Sequence, residues 1–107
     1  MSASEKLYPE VQNKTLTDAN TEYEIDISLG TKFLTFQCRT SFDVRFAFII
    51  GKVATPTAPY MTLKSGMSYS VPEKFLISHD FVKLYLASAQ AAVVVEYIAW
   101  LAQLANS

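Results

Sequence analysis

Few residues in this chain have the type and spacing that chemistry requires. His79 is the single histidine, and it precedes Asp80 in a segment that we predict to be a loop. A catalytic imidazole needs a nucleophile beside it, and the sequence gives no reason to place one there. The chain also lacks the glycine-rich motifs that bind phosphate groups. We therefore expect no enzymatic activity, no catalytic residue and no cofactor.

Metal ligands are equally scarce. With one histidine and one cysteine, Cys38, a zinc site would need carboxylates or a second subunit to complete it. Glu22, Glu24 and Asp26 alternate along a predicted strand, which spreads them over about 13 Å and does not wrap them around a calcium ion. We therefore predict no metal site. The three carboxylates are interpreted as a solvated face, and Cys38 as a small core residue.

A charged group at a central turn is the remaining polar candidate. Arg39, Asp43 and Arg45 flank residues 40–42. If two strands pair across this turn, Arg39 lies opposite Asp43, and Arg45 lies opposite Gln37, on the face away from the apolar side chains. The group is then either an ion-pair clasp within the chain or a contact between subunits, and both interpretations stay open.

Two apolar rows with a period of two residues occupy residues 32–50 and should position this charged group. Alternate side chains of a strand share one face. The first row is Leu34, Phe36 and Cys38, and the second is Val44, Phe46, Phe48 and Ile50. We predict a hairpin in which Phe36 lies opposite Phe46, so that both rows form one surface.

Similar alternation predicts three further hairpins. One should turn at residues 29–30, because glycine adopts the positive φ that short turns use. A second should turn at residues 64–66 and end before Pro72, which cannot donate to a strand ladder. The third should place Lys83 opposite Glu96 as a cross-strand ion pair. Seven or eight short strands of this kind predict an all-β, antiparallel β-sandwich with jelly-roll or Greek-key connections.

The chain divides by composition near Thr21. Residues 1–20 are polar, contain Pro9 and show no sustained period. We predict that they form an extended N-terminal arm outside the core. Residues 21–107 should form a single β-sandwich domain with a short C-terminal tail.

Charge and hydropathy exclude several kinds of partner. The formal net charge is -1 and the sequence pI is about 5.7. Nucleic acids and anionic membranes bind clustered Lys and Arg, so we expect neither as a partner. No apolar run reaches the roughly 20 residues that a membrane-spanning helix needs, and the first residues do not resemble a secretory signal. The sequence thus predicts a soluble chain that is not exported.

The C-terminal run from Val93 to Leu104 is apolar on both faces. Its last large side chains extend beyond the preceding strand, and each would forfeit roughly 1.5–3 kcal/mol if it stayed in water. A second copy of the chain could cover them through closed symmetry. We therefore predict a homo-oligomer. The candidate subunit-interface residues are Arg39, Asp43, Arg45, Ile98, Trp100 and Leu101.

Three segments, residues 30–48, 59–71 and 82–100, carry a resemblance to a known class of protein. They read GTKFLTFQCRTSFDVRFAF, PYMTLKSGMSYSV and VKLYLASAQAAVVVEYIAW. In the order of their strands and turns they resemble the small single-domain β proteins among the virion structural proteins of tailed bacteriophages. The resemblance covers about residues 21–100 and contains no catalytic signature.

The resemblance implies a non-enzymatic capsid decoration or cement protein, made in the host cytoplasm and located on the capsid surface of the virion. It also implies a trimer that binds the major capsid protein. A tail or head-tail connector component is the alternative position in the virion. A different alternative is a carbohydrate-binding β-sandwich module, in which Tyr60, Tyr69 and Trp100 would stack on sugar rings.

Overall fold

The structure is a computed structural model that describes residues 6–28, 30–77 and 82–103. This part of the chain contains eight strands and one short helix. They are β1 (Lys6–Leu16), β2 (Tyr23–Ile27), β3 (Thr31–Cys38), β4 (Val44–Ala47), β5 (Met61–Leu63), β6 (Ser68–Val71), α1 (Glu73–Ile77), β7 (Val82–Ala87) and β8 (Val93–Gln103).

The strands form two four-stranded antiparallel sheets that pack face to face. The first sheet has the order β1-β8-β3-β6, and the second has the order β2-β7-β4-β5. Strands β1 to β4 pair in turn with β8, β7, β6 and β5, like one long hairpin that closes between β4 and β5 and is rolled up. This order is that of a jelly roll. The predicted all-β, antiparallel β-sandwich is therefore confirmed.

The pairing predicted for the four hairpins is wrong. In each case the chain crosses from one sheet to the other: β2 to β3, β3 to β4, β5 to β6 and β7 to β8. The two predicted apolar rows do meet, but across the core. The rings of Phe36 in β3 and Phe46 in β4 contact edge to face with centroids 5.0 Å apart. Alternation defines which face of a strand is apolar. A hairpin within one sheet and a pair of strands in two facing sheets both bury that face, so alternation does not distinguish them.

The core lies between the sheets and consists of inward-facing side chains of all eight strands together with Leu76 of α1. Phe36, Leu34 and Leu84 are among its fully buried members. Cys38 is a free, buried cysteine at 9% exposure, so its interpretation as a core residue is confirmed. Tyr69 packs its ring against both Phe36 and Phe46, with centroids 5.7 and 5.0 Å away.

Residues 6–16 differ from the predicted N-terminal arm. They form β1, which pairs with β8 along its whole length from Lys6↔Gln103 to Leu16↔Val93. Leu16 has no exposed surface and belongs to the core, so the predicted arm is wrong for this part of the chain. Pro9 was misleading because an edge strand tolerates proline, whose missing N–H can face away from the neighbouring strand. Residues 1–5 of the arm lie outside the described residues.

A long loop between β4 and β5 covers the part of the outer face of the second sheet that is formed by β4 and the end of β7. Val53 in this loop is fully buried and packs with Ala47, Tyr85 and Ala87 in a small separate apolar cluster. The loop is also tied to the chain before β2, because the backbone N–H of Gly51 donates to the Glu22 carboxylate at 3.0 Å. The second sheet is thus covered by the core on its inner face and by this loop on part of its outer face, where the charged side chains of β2 remain exposed.

Among the described residues, the structure contains no helix with the length and hydropathy of a membrane span.

Candidate functional site

The outer face of the first sheet carries an exposed apolar surface, which we call the outer strip. Along β8, Val93, Val95, Tyr97, Ala99 and Leu101 face inwards, and the side chains that alternate with them face outwards. Trp100 lies between Pro9 of β1 and Phe33 of β3, and Ile98 lies between Val11 of β1 and Thr35 of β3. The outer strip consists of Leu7, Val11, Phe33, Ile98 and Trp100.

Most of the outer strip is open to water. Val11 is 67% exposed, Phe33 43%, Leu7 38% and Trp100 37%, and Ile98 is partly buried. On the corresponding face of the second sheet, the loop that contains Val53 covers the apolar part, and the remaining part is charged. The two sheets therefore differ, because the apolar part of one outer face is covered by its own chain, whereas the other outer face presents aromatic and aliphatic side chains to the solvent.

A polar network borders the outer strip at one end. Gln37 Nε2 donates a hydrogen bond to Glu96 Oε1 at 3.0 Å, and Arg39 Nε donates to Glu96 Oε2 at 2.8 Å. These two bonds, first that from Gln37 and then that from Arg39, hold the pKa of Glu96 below its usual value. A shallow hollow of about 270 Å³ lies between this network and Val11. The network provides a polar rim beside an apolar surface.

Three of the predicted interface residues lie in the outer strip or at its polar border. Ile98 and Trp100 belong to the outer strip, and Arg39 belongs to its polar border. Leu101 is 8% exposed and packs in the core, so its predicted lack of cover within the chain is wrong. The reason is the alternation of β8, which turns Leu101 to the face opposite Trp100. The predicted subunit contacts stay predictions.

Asp43 does not form the predicted clasp with Arg39. Its Oδ1 accepts a hydrogen bond from the backbone N–H of Ser65 at 2.8 Å, and its Oδ2 lies 3.4 Å from Lys64 Nζ. The Ser65 bond is the main cause that lowers the pKa of Asp43. Ser88 Oγ also donates to the Asp43 backbone carbonyl at 3.0 Å. Asp43 therefore holds neighbouring loops together at one end of the sandwich.

Arg45 holds the loop that covers the second sheet, and it does not lie opposite Gln37 as predicted. Its Nε donates to the Val53 carbonyl at 2.7 Å, and its Nη2 donates to the Ala54 carbonyl at 3.3 Å and to Asn20 Oδ1 at 2.9 Å. The guanidinium thus joins the loop to the turn before β2. These bonds give Arg45 a role within its own chain.

The acidic side chains of β2 form ion pairs within their own chain. Lys83 Nζ lies 3.0 Å from Glu24 and 3.7 Å from Asp26, which corrects the predicted pair between Lys83 and Glu96. The Glu24 hydrogen bond is the main cause that raises the pKa of Lys83. Across residues 6–28, 30–77 and 82–103, no group of three or more His, Cys, Asp or Glu side chains could hold a metal ion. His79 and Asp80 lie outside the described residues.

A polar cleft opens between the two sheets on the side where β1 and β2 form their edges. It has a volume of about 380 Å³ and is lined by Glu10, Gln12 and Lys14 of β1 together with residues of β2. The Tyr97 hydroxyl donates to Gln12 Oε1 at 3.3 Å, and Gln12 Nε2 donates to Glu10 at 3.2 Å. Burial, with smaller contributions from Glu10 and Asp26, raises the pKa of Tyr97.

The comparisons with known proteins bear on the fold. No protein-family model matches this chain, and no curated protein matches it. Among solved structures it is similar to a de novo designed double-stranded β-helix, with a TM-score of 0.55 and 19% identity over 85% of this chain and 97% of that chain. A structure of Bacillus endospore appendages, described as disulfide-linked pili, has a TM-score of 0.46 and 16% identity over 91% of this chain and 87% of that chain. The first likeness shows the fold alone.

The three aromatic residues considered for sugar binding do not share a surface. Tyr69 packs against rings in the core, and Tyr60 packs beside Val53 on the second sheet. Trp100 lies on the outer face of the first sheet. A stacking platform built from these three residues is therefore excluded.

The sequence reasoning missed the β1 members of the outer strip, Leu7 and Val11, and also Phe33. The alternation of Leu7 and Val11 with polar residues was the available signal. This alternation was not recognised as a strand because Pro9 and the polar composition of residues 1–20 favoured an arm.

Proposed function

We propose that this chain is a non-enzymatic virion structural protein that decorates a capsid and stabilises it by burying the outer strip against the capsid surface. The observation that carries the proposal is the outer strip itself, which is an exposed apolar surface, whereas the apolar part of the outer face of the other sheet is covered by its own chain. Contiguous exposed apolar surface on a small domain marks an interaction site. The major capsid protein is the proposed partner, following the resemblance described above.

The composition of the outer strip favours binding by passive adhesion. Phe33 and Trp100 are neighbours across β3 and β8, and large aromatic side chains dominate the binding energy of many interfaces. The border residues Gln37, Arg39 and Glu96 already satisfy one another, so they can remain at a wet rim without loss of hydrogen bonds. The strands of the first sheet hold the outer strip and its polar border in fixed positions.

The proposal is tested with virions of the phage whose genome encodes the chain. Particles produced without this chain should release their DNA at a lower temperature than complete particles, and purified protein added back should restore the original temperature. Trp100→Glu should bind the particles at least tenfold more weakly, because a carboxylate would be buried without a partner.

Ile50→Glu is the matched control. Ile50 is 66% exposed and apolar but lies in the loop between β4 and β5, away from the outer strip. This variant should restore heat resistance as well as the unaltered protein does. Electron microscopy of labelled protein should place it on the capsid surface. A label confined to the tail or the connector would support the alternative position, and absence of the chain from the virion would refute the proposal.

A further inference from the structure

The four strand edges of the sandwich differ strongly in length. The edge strands β6, β2 and β5 contain 4, 5 and 3 residues, whereas β1 contains 11. Edge strands present unpaired backbone N–H and C=O groups, and short edges are one protection against pairing with another chain. The long edge of β1 is the one that can accept a further strand over many residues.

The side chains of β1 are arranged so that the strand complements itself. Glu10, Gln12 and Lys14 share one face and line the polar cleft at this edge. Gln12 lies midway between a negative and a positive side chain. In an antiparallel pair of β1 strands related by a two-fold axis at Gln12, Glu10 of each copy lies opposite Lys14 of the other.

We propose that two copies of this chain pair through their β1 strands in this register, which joins their first sheets into one eight-stranded sheet. The partner is a second copy of the chain, and the recognition elements are two symmetric ion pairs between Glu10 and Lys14. A register centred on Val11 or on Asn13 would separate these charges. The charge pattern therefore specifies the register as well as the partner.

Pro9 is compatible with this pairing. In the proposed register it lies opposite Thr15 of the second copy, towards the end of the shared stretch, where its missing N–H removes one donor from each strand. The outer face of the joined sheet carries the outer strips of both copies, because each sheet keeps its orientation. The inferred pair rests on the β1 edge and does not depend on binding to a capsid. Its two-fold symmetry differs from the trimer that the resemblance implies.

Disulfide trapping tests the register directly. Cys38 is the single cysteine and is buried, so an introduced cysteine is the accessible one. In Gln12→Cys the two new thiols lie opposite each other on the two-fold axis, and mild oxidation should convert most of the protein into a covalent dimer. Glu10→Cys is the matched control, because its two copies lie about 13 Å apart along the strands, beyond the reach of a disulfide.

Charge reversal tests the ion pairs without a cross-link. Sedimentation equilibrium of the unaltered protein should give the mass of two chains at sufficient concentration. Glu10→Lys and Lys14→Glu should each raise the dimer dissociation constant about tenfold, since each creates two like-charge contacts. The double variant with both changes should recover the original constant.

Several results would overturn the inference. They are a monomer at every accessible concentration, a trimer, a dimer that is indifferent to the single reversals, or a Gln12→Cys protein that oxidises no faster than Glu10→Cys. These measurements contain no capsid. A failure of capsid binding with an intact two-fold dimer would therefore refute the proposed function and leave this inference standing.

Discussion

Replacement of Arg45 by alanine should release the loop that covers the second sheet. The guanidinium donates to the carbonyls of Val53 and Ala54 and to the side chain of Asn20. Val53 is fully buried in the small cluster on this face. Loss of Arg45 removes the donor from both loop carbonyls and unties the loop from the turn before β2.

The size of the effect follows from the two partly buried carbonyl bonds. Water can replace the bond to Asn20, which is exposed. At roughly 1–1.5 kcal/mol net for each remaining bond, Arg45→Ala should lower the free energy of unfolding by about 2–3 kcal/mol. With a urea dependence of roughly 1–3 kcal/mol per molar, the unfolding midpoint should fall by about 1–3 M. Arg45→Lys should give an intermediate loss, because it keeps the charge but not the planar fork.

Urea unfolding followed by circular dichroism measures this effect. Arg39→Ala is the matched control, since Arg39 is 52% exposed and forms a surface ion pair with Glu96. Water can take the place of this pair, so the control should lose less stability than Arg45→Ala. Equal losses for the two variants would refute the assignment of Arg45 as the residue that holds the loop.

Three further predictions address the fold. Deletion of residues 1–16 should abolish cooperative thermal unfolding, because it removes β1 from the first sheet; a sharp transition in the shortened chain would contradict the role of β1. Gly66→Ala should lower the free energy of unfolding by about 1–2 kcal/mol, measured with urea. The cause is the backbone strain of alanine at a φ of +83°, since no atom lies close enough to the added Cβ to clash with it; an unchanged midpoint would contradict it. Asp43 and Glu96 have lowered pKa values, so each stabilises the fold above its unfolded pKa, and that contribution is lost as the pH falls through its folded pKa. The double variant with Asp43→Asn and Glu96→Gln should therefore show a flatter loss of stability in acid, and an unchanged acid profile would count against these bonds.

The alternation of apolar and polar residues was enough to predict the strands after Thr21 and the direction in which their side chains point, but not β1. Leu34, Phe36 and Phe46 face the core as their alternation predicted, and β6 ends at Val71, directly before Pro72. Gly30 has the expected positive φ of +92°. These features depend on local geometry, because period, proline and glycine act within a few residues of the chain.

The candidate site was predictable only in part, because only some of its residues are revealed by local patterns in the sequence. Ile98 and Trp100 were recognisable because a strand that is apolar on both faces must cover its second face somehow. The position of Leu7, Val11 and Phe33 beside them depends on the pairing of β1 and β3 with β8, and these strands are far apart in the sequence. Residues that meet only through such pairing leave no joint signal in a single sequence.

Which strands are neighbours becomes apparent only in the folded chain. The same alternating rows satisfy a hairpin within one sheet and a crossing between two facing sheets, since both bury Phe36 against Phe46. The choice depends on the whole roll, in which β1 must close against β8 and the loop after β4 must cover the second sheet. The folded arrangement also determines that Arg45 bonds to a loop and Asp43 to a turn. Charged side chains form hydrogen bonds with the polar groups that the folded chain brings close to them.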